Sequence, residues 1–183
     1  MLTIGHSSLP LEMLIRILDR HRVRVVVDAR TKPRSRHNPQ YCRECLSEAL
    51  EERGIRYRWM AGLGGLRRPA SPVAREPWTN DGLPGRRLRA FADYMQTPDF
   101  HRAVEELLAL EEASAAALLC SPATPARCHR TLLADALAAR SVPVGHILYS
   151  KKSGSSEIHP HRLSALACIC GTRVAYPRPP LER

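Results

Sequence analysis

A chain of 183 residues with 44% hydrophobic content is long enough to bury a core without disulfide or metal staples, and too apolar to be disordered. Its formal charge is +10, from 28 basic against 18 acidic residues, and all but three of the basic residues are arginine. That excess favours a polyanionic partner such as nucleic acid, a nucleotide or another phosphate ester. No apolar run approaches the ~20 residues needed to cross a membrane.

Met1 leads directly into Leu2-Thr3-Ile4 with no basic, signal-like opening, so a cytoplasmic protein is expected. Leu2 to Ile4 reads as a short strand running into Gly5-His6-Ser7-Ser8. Ser8 and Pro10 look like the cap and first-turn proline of a helix whose Leu11, Leu14, Ile15 and Leu18 share one face. Val23 to Val27 reads as a strand buried on both faces and ending at Asp28-Ala29-Arg30. Cys42 to Arg53 has helical period and stops at Gly54, and Ile55 to Trp59 is a third strand.

From Ala61 to Arg89 the pattern becomes rich in Gly, Pro and Arg, with Leu63, Trp78 and Leu83 as isolated apolar anchors. A loop of this length inside a domain reads as a lid or insertion beside a site. Helices follow at Leu88 to Met95 and after Thr97-Pro98, the second capped by Thr97. Ala115 to Leu119 is a strand ending at Cys120, Thr131 to Arg140 a helix, and Val142 to Leu148 a strand with His146 near its end. The tail from Ser150 to Arg183 is expected to be irregular. Strands alternating with helices predict a single α/β domain with an open, mostly parallel sheet and flanking helices. In such sheets ligands sit beyond the strand carboxyl ends. His6, Asp28, Arg30, Cys120 and His146 should therefore gather at one edge.

The segment Cys120-Ser121-Pro122-Ala123-Thr124-Pro125-Ala126-Arg127-Cys128-His129-Arg130 joins a strand end to a helix start and carries two thiols, an imidazole and two guanidinium groups. Three chemistries suit it. Arg127 and Arg130, with Arg30 and Arg34 after the second strand, would clamp a phosphate or carboxylate. Cys120 or Cys128 beside those cations would be a reactive thiolate, with His6, Asp28 or His146 moving protons. Cys120, Cys128 and His129 are also a sound set for a soft metal ion, although adjacent residues cannot both face one ion from a regular helix. The loop is one residue longer than a cysteine phosphatase loop and has two prolines and no glycine, which argues against that chemistry. Cys42 and Cys45, with Cys168 and Cys170, could form a four-thiolate zinc site, but lack its glycine-rich context and are expected to be free thiols.

Several segments together resemble the bacterial family called domain of unknown function 488. They are Thr3-Ile4-Gly5-His6-Ser7, Val27-Asp28-Ala29-Arg30 with Pro33-Arg34-Ser35 and Asn38-Pro39-Gln40, and Leu63-Gly64-Gly65 with Arg67-Arg68. Phe91 to Met95, Thr97 to Phe100, Cys120 with Cys128-His129-Arg130, and His146-Ile147 continue the likeness. The family pattern has a glutamate two residues after the first cysteine, where this chain has Pro122. The resemblance implies an α/β fold and a shared polar site, and leaves the reaction open.

The expectation is an enzyme-like domain, of the hydrolase or transferase kind, that binds a phosphate-bearing ligand through Arg, His and Cys side chains. The alternatives are a non-catalytic basic module gripping nucleic acid, or a thiol/His metal-binding protein. No motif specifies a cofactor or an oligomeric state.

Overall fold

The computed structural model describes residues 1–35, 37–69, 79–113 and 115–178. Five strands form the parallel part of one sheet: β1 (Leu2–Gly5), β2 (Val25–Asp28), β3 (Arg56–Trp59), β4 (Ala116–Cys120) and β5 (Gly145–Tyr149). A sixth, β6 (Ser156–Pro160), closes one edge antiparallel to β5, giving the order β3-β2-β4-β1-β5-β6. The central strands are apolar on both faces, as a sheet covered on both sides requires. Val25 to Asp28 and Ala116 to Cys120 are buried throughout.

Two helices, α1 (Leu11–Arg20) and α2 (Arg43–Glu51), cover one face, where Leu14, Leu18, Leu46 and Leu50 meet Val26, Ala117 and Leu119. Three others, α3 (Arg86–Tyr94), α4 (Pro98–Ala113) and α5 (Arg130–Ala138), cover the opposite face, where Phe91, Phe100, Val104 and Leu133 meet Val25, Val27 and Leu118. The result is the expected open α/β architecture with flanking helices. Alternation along each strand sends Asp28 toward the α2 side and Cys120 toward the α5 side. No helix among the described residues is long and apolar enough to cross a membrane.

Three local expectations change. Pro10, not Ser8, occupies the cap position of α1, and no side chain caps it. The last parallel strand starts at Gly145, because Ser141 turns with φ 60° and Pro143 precedes it. His146 therefore lies near the start of β5, level with Thr3 inside the sheet, and not at the carboxyl edge. As far as residue 178 the tail is not irregular throughout. Besides β6 it forms a hairpin of β7 (Cys168–Cys170) and β8 (Arg173–Ala175), turned at Gly171 with φ 56°. Elsewhere Thr97 does cap α4, accepting from the Phe100 amide at 3.4 Å, and Leu63 and Leu83 are buried anchors. Trp78 lies outside the described residues.

Candidate functional site

Beyond the carboxyl ends of β1, β2 and β4, two side-chain networks stand on opposite faces of the sheet and meet at the edge. On the α2 side, the carboxylate of Asp28 is fully buried and accepts from Arg30 Nε at 2.8 Å, Arg30 Nη2 at 2.5 Å and the Tyr57 hydroxyl at 2.7 Å. Arg30 also donates to the Tyr41 carbonyl at 2.9 Å and toward His6 Nε2 at 3.3 Å. His6 donates its Nδ1 proton to the Ser7 carbonyl at 2.9 Å and stacks on Tyr41, with ring centroids 3.9 Å apart. Burial, with Arg30 adding to it, pushes the His6 pKa down to about 4, so the ring is neutral. Burial and the neighbouring Asp28 charge push the Tyr57 hydroxyl well up. Asp28 thus orients Arg30, and Arg30 is held as a buried ion pair.

On the α5 side, the Cys120 and Cys128 sulfurs stand 3.3 Å apart and both residues are buried. His129 Nδ1 faces them, 3.9 Å from Cys120 Sγ and 3.7 Å from Cys128 Sγ. Its other nitrogen donates to the Ala29 carbonyl at 3.2 Å, which ties this network to the end of β2. The short 3-10 turn Pro125–Arg127 delivers Cys128 in an extended conformation, φ −133° and ψ 143°. His129 then turns into α5. The Cys120 sulfhydryl beside it, then His129 and Arg130, hold the Cys128 pKa down to about 4 against the opposing effect of burial. Sharing a proton with Cys128 and being buried push Cys120 well up. Of the two sulfurs Cys128 is therefore the more acidic.

Arg130 is 1% exposed and takes neither Asp93 nor Asp135 as an ion-pair partner among the described residues. Its Nη2 donates to the carbonyls of Pro122 and Ala123, both at 3.1 Å, while Nε and Nη1 have no partner. It pins the loop between the cysteines from below. Gly5 is needed for this: a β-carbon there would lie 1.7 Å from the Pro122 carbonyl oxygen and 2.7 Å from Arg130 Nη1.

Arg30 from the first network and Cys120, Cys128 and His129 from the second line one cavity of about 390 Å³. Five cationic side chains line it, Arg30, Lys32, Arg34, Arg87 and Arg127, together with Cys120, Cys128 and His129, and among the described residues no carboxylate does. Arg34 and Arg127 are exposed at its mouth. A larger cavity of about 760 Å³ lies along α4 near Trp59 and Glu106, with acidic and basic residues mixed and no thiol or imidazole.

His146 belongs to neither network. It accepts from the Thr3 hydroxyl at 2.7 Å, and its Nε2 donates to His161 Nδ1 at 3.0 Å. His161 Nε2 donates to Asp135 at 2.8 Å, and Asp135 also accepts from the Tyr176 hydroxyl and the Ser164 amide. His6 and His146 therefore do not face each other across a site. The four-thiolate site is not assembled either. Among the described residues Cys120, Cys128 and His129 are the group of ligand-type side chains that converges, while Cys42 caps α2 and Cys168 and Cys170 sit in β7.

Sequence reasoning missed Lys32, Gly65 and Arg87 as cavity residues, and Tyr41 and Tyr57 as supports of the Asp28–Arg30 pair. Tyr41 follows the Asn38-Pro39-Gln40 motif and was within reach. Arg87 sits among other surface arginines with nothing local to distinguish it.

These features define an open α/β domain with a thiol pair and an imidazole in a cationic pocket at the strand carboxyl edge. The chain belongs to the family described as Domain of unknown function DUF488, whose model matches residues 10–137. No curated protein and no solved structure matches it. The matched span contains the described lining residues of the cavity but leaves out His6, β5, His146 and His161.

Proposed function

We propose that the pocket binds a small phosphate-bearing ligand, a nucleotide or related ester, and that the domain acts on it as a hydrolase or transferase. The observation that carries this reading is that the described lining residues include five cations and not one carboxylate. Arg30 is neutralised by Asp28, but Lys32, Arg34, Arg87 and Arg127 pair with no carboxylate among the described residues. All four are exposed, so solvent screens their mutual repulsion, and their convergence on one concavity makes a positive field that attracts an anion into it. Arg34 and Arg127 would grip the phosphate, Arg30 would shape the wall, and Cys128 or Cys120 would be the reactive group with His129 beside it. Asp28 and His6 keep Arg30 in place, and His146 acts elsewhere.

The exposed arginines at the mouth favour a second reading, in which the same face grips a nucleic-acid backbone without chemistry. Titration with inorganic phosphate and a nucleoside monophosphate separates the two. Small-ligand binding should saturate and weaken by about tenfold or more in Arg127→Ala or Arg34→Ala. Binding confined to oligonucleotides and falling steeply with salt would select the second reading instead.

A further inference from the structure

We propose that Cys120, Cys128 and His129 hold a divalent ion of the zinc type, with its fourth coordination position open to the cationic pocket. The three ligand atoms form a triangle with sides of 3.3, 3.7 and 3.9 Å. A point equidistant from them lies about 2.1 Å from each, against roughly 2.3 Å for zinc–sulfur and 2.0–2.1 Å for zinc–nitrogen bonds. An ion placed there needs shifts of only a few tenths of an ångström, and lies just off the plane of its three ligands.

The objection that adjacent residues cannot both reach one ion is met by the backbone. Cys128 is extended and His129 begins the helix, so their side chains converge where two residues of a regular helix would diverge. The hydrogen bond from His129 Nε2 to the Ala29 carbonyl leaves the Nδ1 lone pair aimed at the sulfurs. Histidines that ligate metals are oriented in this way, their other ring nitrogen donating to a carbonyl or carboxylate. The Arg130 amide lies 3.5 Å from Cys128 Sγ and helps to fix the position of that sulfur.

No fourth ligand completes the set among the described residues, and the three residues line the same cavity as the arginines. Two thiolates balance a divalent ion, so the surrounding cations repel nothing and instead draw an anion or a water to the vacant position. Three protein ligands with one open position is the arrangement of catalytic zinc, whereas structural zinc takes four. The inference rests on the phosphate-binding reading of the pocket. It changes the part that the cysteines play there, from nucleophile to ligand.

The test uses the full chain, reduced, stripped with a chelator and titrated with Co²⁺ and then Zn²⁺. Co²⁺ should give a thiolate-to-cobalt charge-transfer band and tetrahedral d–d bands that saturate at one ion per chain, and Zn²⁺ should displace them. Cys120→Ser and Cys128→Ser should each weaken binding at least a hundredfold, while Cys45→Ser and Cys170→Ser leave it intact. Absence of the charge-transfer band in the unaltered chain overturns the proposal, and that measurement does not depend on whether any variant folds. Uptake that survives the Cys120→Ser, Cys128→Ser double substitution overturns it equally. Phosphate titration of the stripped protein, run in parallel, reports on the pocket alone. Phosphate binding without metal uptake defeats only the metal site, and metal uptake without phosphate affinity defeats only the ligand reading.

Discussion

Gly65 lies against the ring of His129 so closely that a β-carbon on it would stand 2.3 Å from Nδ1 and 2.4 Å from Cγ. The imidazole is gripped between this backbone and the Ala29 carbonyl, 3.2 Å from Nε2. Gly65→Ala should therefore push His129 off the two sulfurs. Overpacking of this kind is expected to lower stability by about 1–3 kcal/mol. Ligand or metal affinity at the pocket should fall far more than the melting temperature does. Ala61→Ser, an exposed change nearby, should alter neither, and equal losses from both would contradict this account.

Arg30 and Arg127 line the same cavity but should behave differently when removed. Arg30→Ala leaves the Asp28 carboxylate buried with only Tyr57 and the Arg30 amide as donors. Stranding a buried charge in this way costs about 3–5 kcal/mol. Arg127 is exposed, so Arg127→Ala should leave the unfolding midpoint unchanged and weaken anion binding. Chemical denaturation beside a phosphate titration checks both. A stable Arg30→Ala protein would mean that the Asp28 network holds less than its geometry implies.

The sheet was legible because its central strands are buried on both faces and read as apolar runs: Val25 to Val27 and Ala116 to Leu119 have no other home. Their ends follow directly, which is why Asp28, Arg30 and Cys120 could be placed at the carboxyl edge. His146 was misplaced because Val142-Pro143-Val144 has a strand-like composition but is loop, a matter of three residues at a boundary. The edge strand β6 could not be read at all. Ser156 to Pro160 is polar, carries a proline and is mostly exposed, so pairing with β5 supplies what its own pattern lacks. The same pairing brings His161 to His146, a contact with no local signal. Recognising Cys128 and His129 as neighbours in the chain was easy. That both face Cys120 depends on one extended residue, which a helical reading hides.

Asp135 is the point where the segment from His161 to Tyr176 is fastened to α5. It is fully buried and accepts from His161, Tyr176 and the Ser164 amide. Asp135→Ala removes the acceptor for all three and leaves buried donors unpaired, at about 1–3 kcal/mol each before relaxation. The expected outcome is a drop of several kcal/mol in stability, with faster hydrogen exchange across residues 161–176. The cavity residues lie at the start of α5 or on other elements, away from Asp135, so phosphate affinity of the surviving folded fraction should change little. Unaltered exchange in that segment would show that the hairpin of β7 and β8 holds it unaided.

Acid should destabilise the fold over a defined window. Burial pushes His6 and His146 down to about 4, Arg30 adding to the effect at His6 and His161 at His146. The same rings in the unfolded chain titrate near 6.5. Above that value both states hold the rings neutral, and their contribution to stability is fully present. As pH falls from about 6.5 to 4, the unfolded chain takes up protons that the fold refuses, so stability is lost at up to about 1.4 kcal/mol per pH unit for each ring. Below about 4 the folded rings protonate too, and the slope from these two groups vanishes. Urea midpoints at successive pH values should trace this decline, and His146→Gln should reduce its slope by about one proton. Glutamine can still accept from Thr3 or donate to His161, so part of the chain of contacts survives the change. A flat stability profile between pH 6.5 and 4 would show that neither ring is buried as a neutral group.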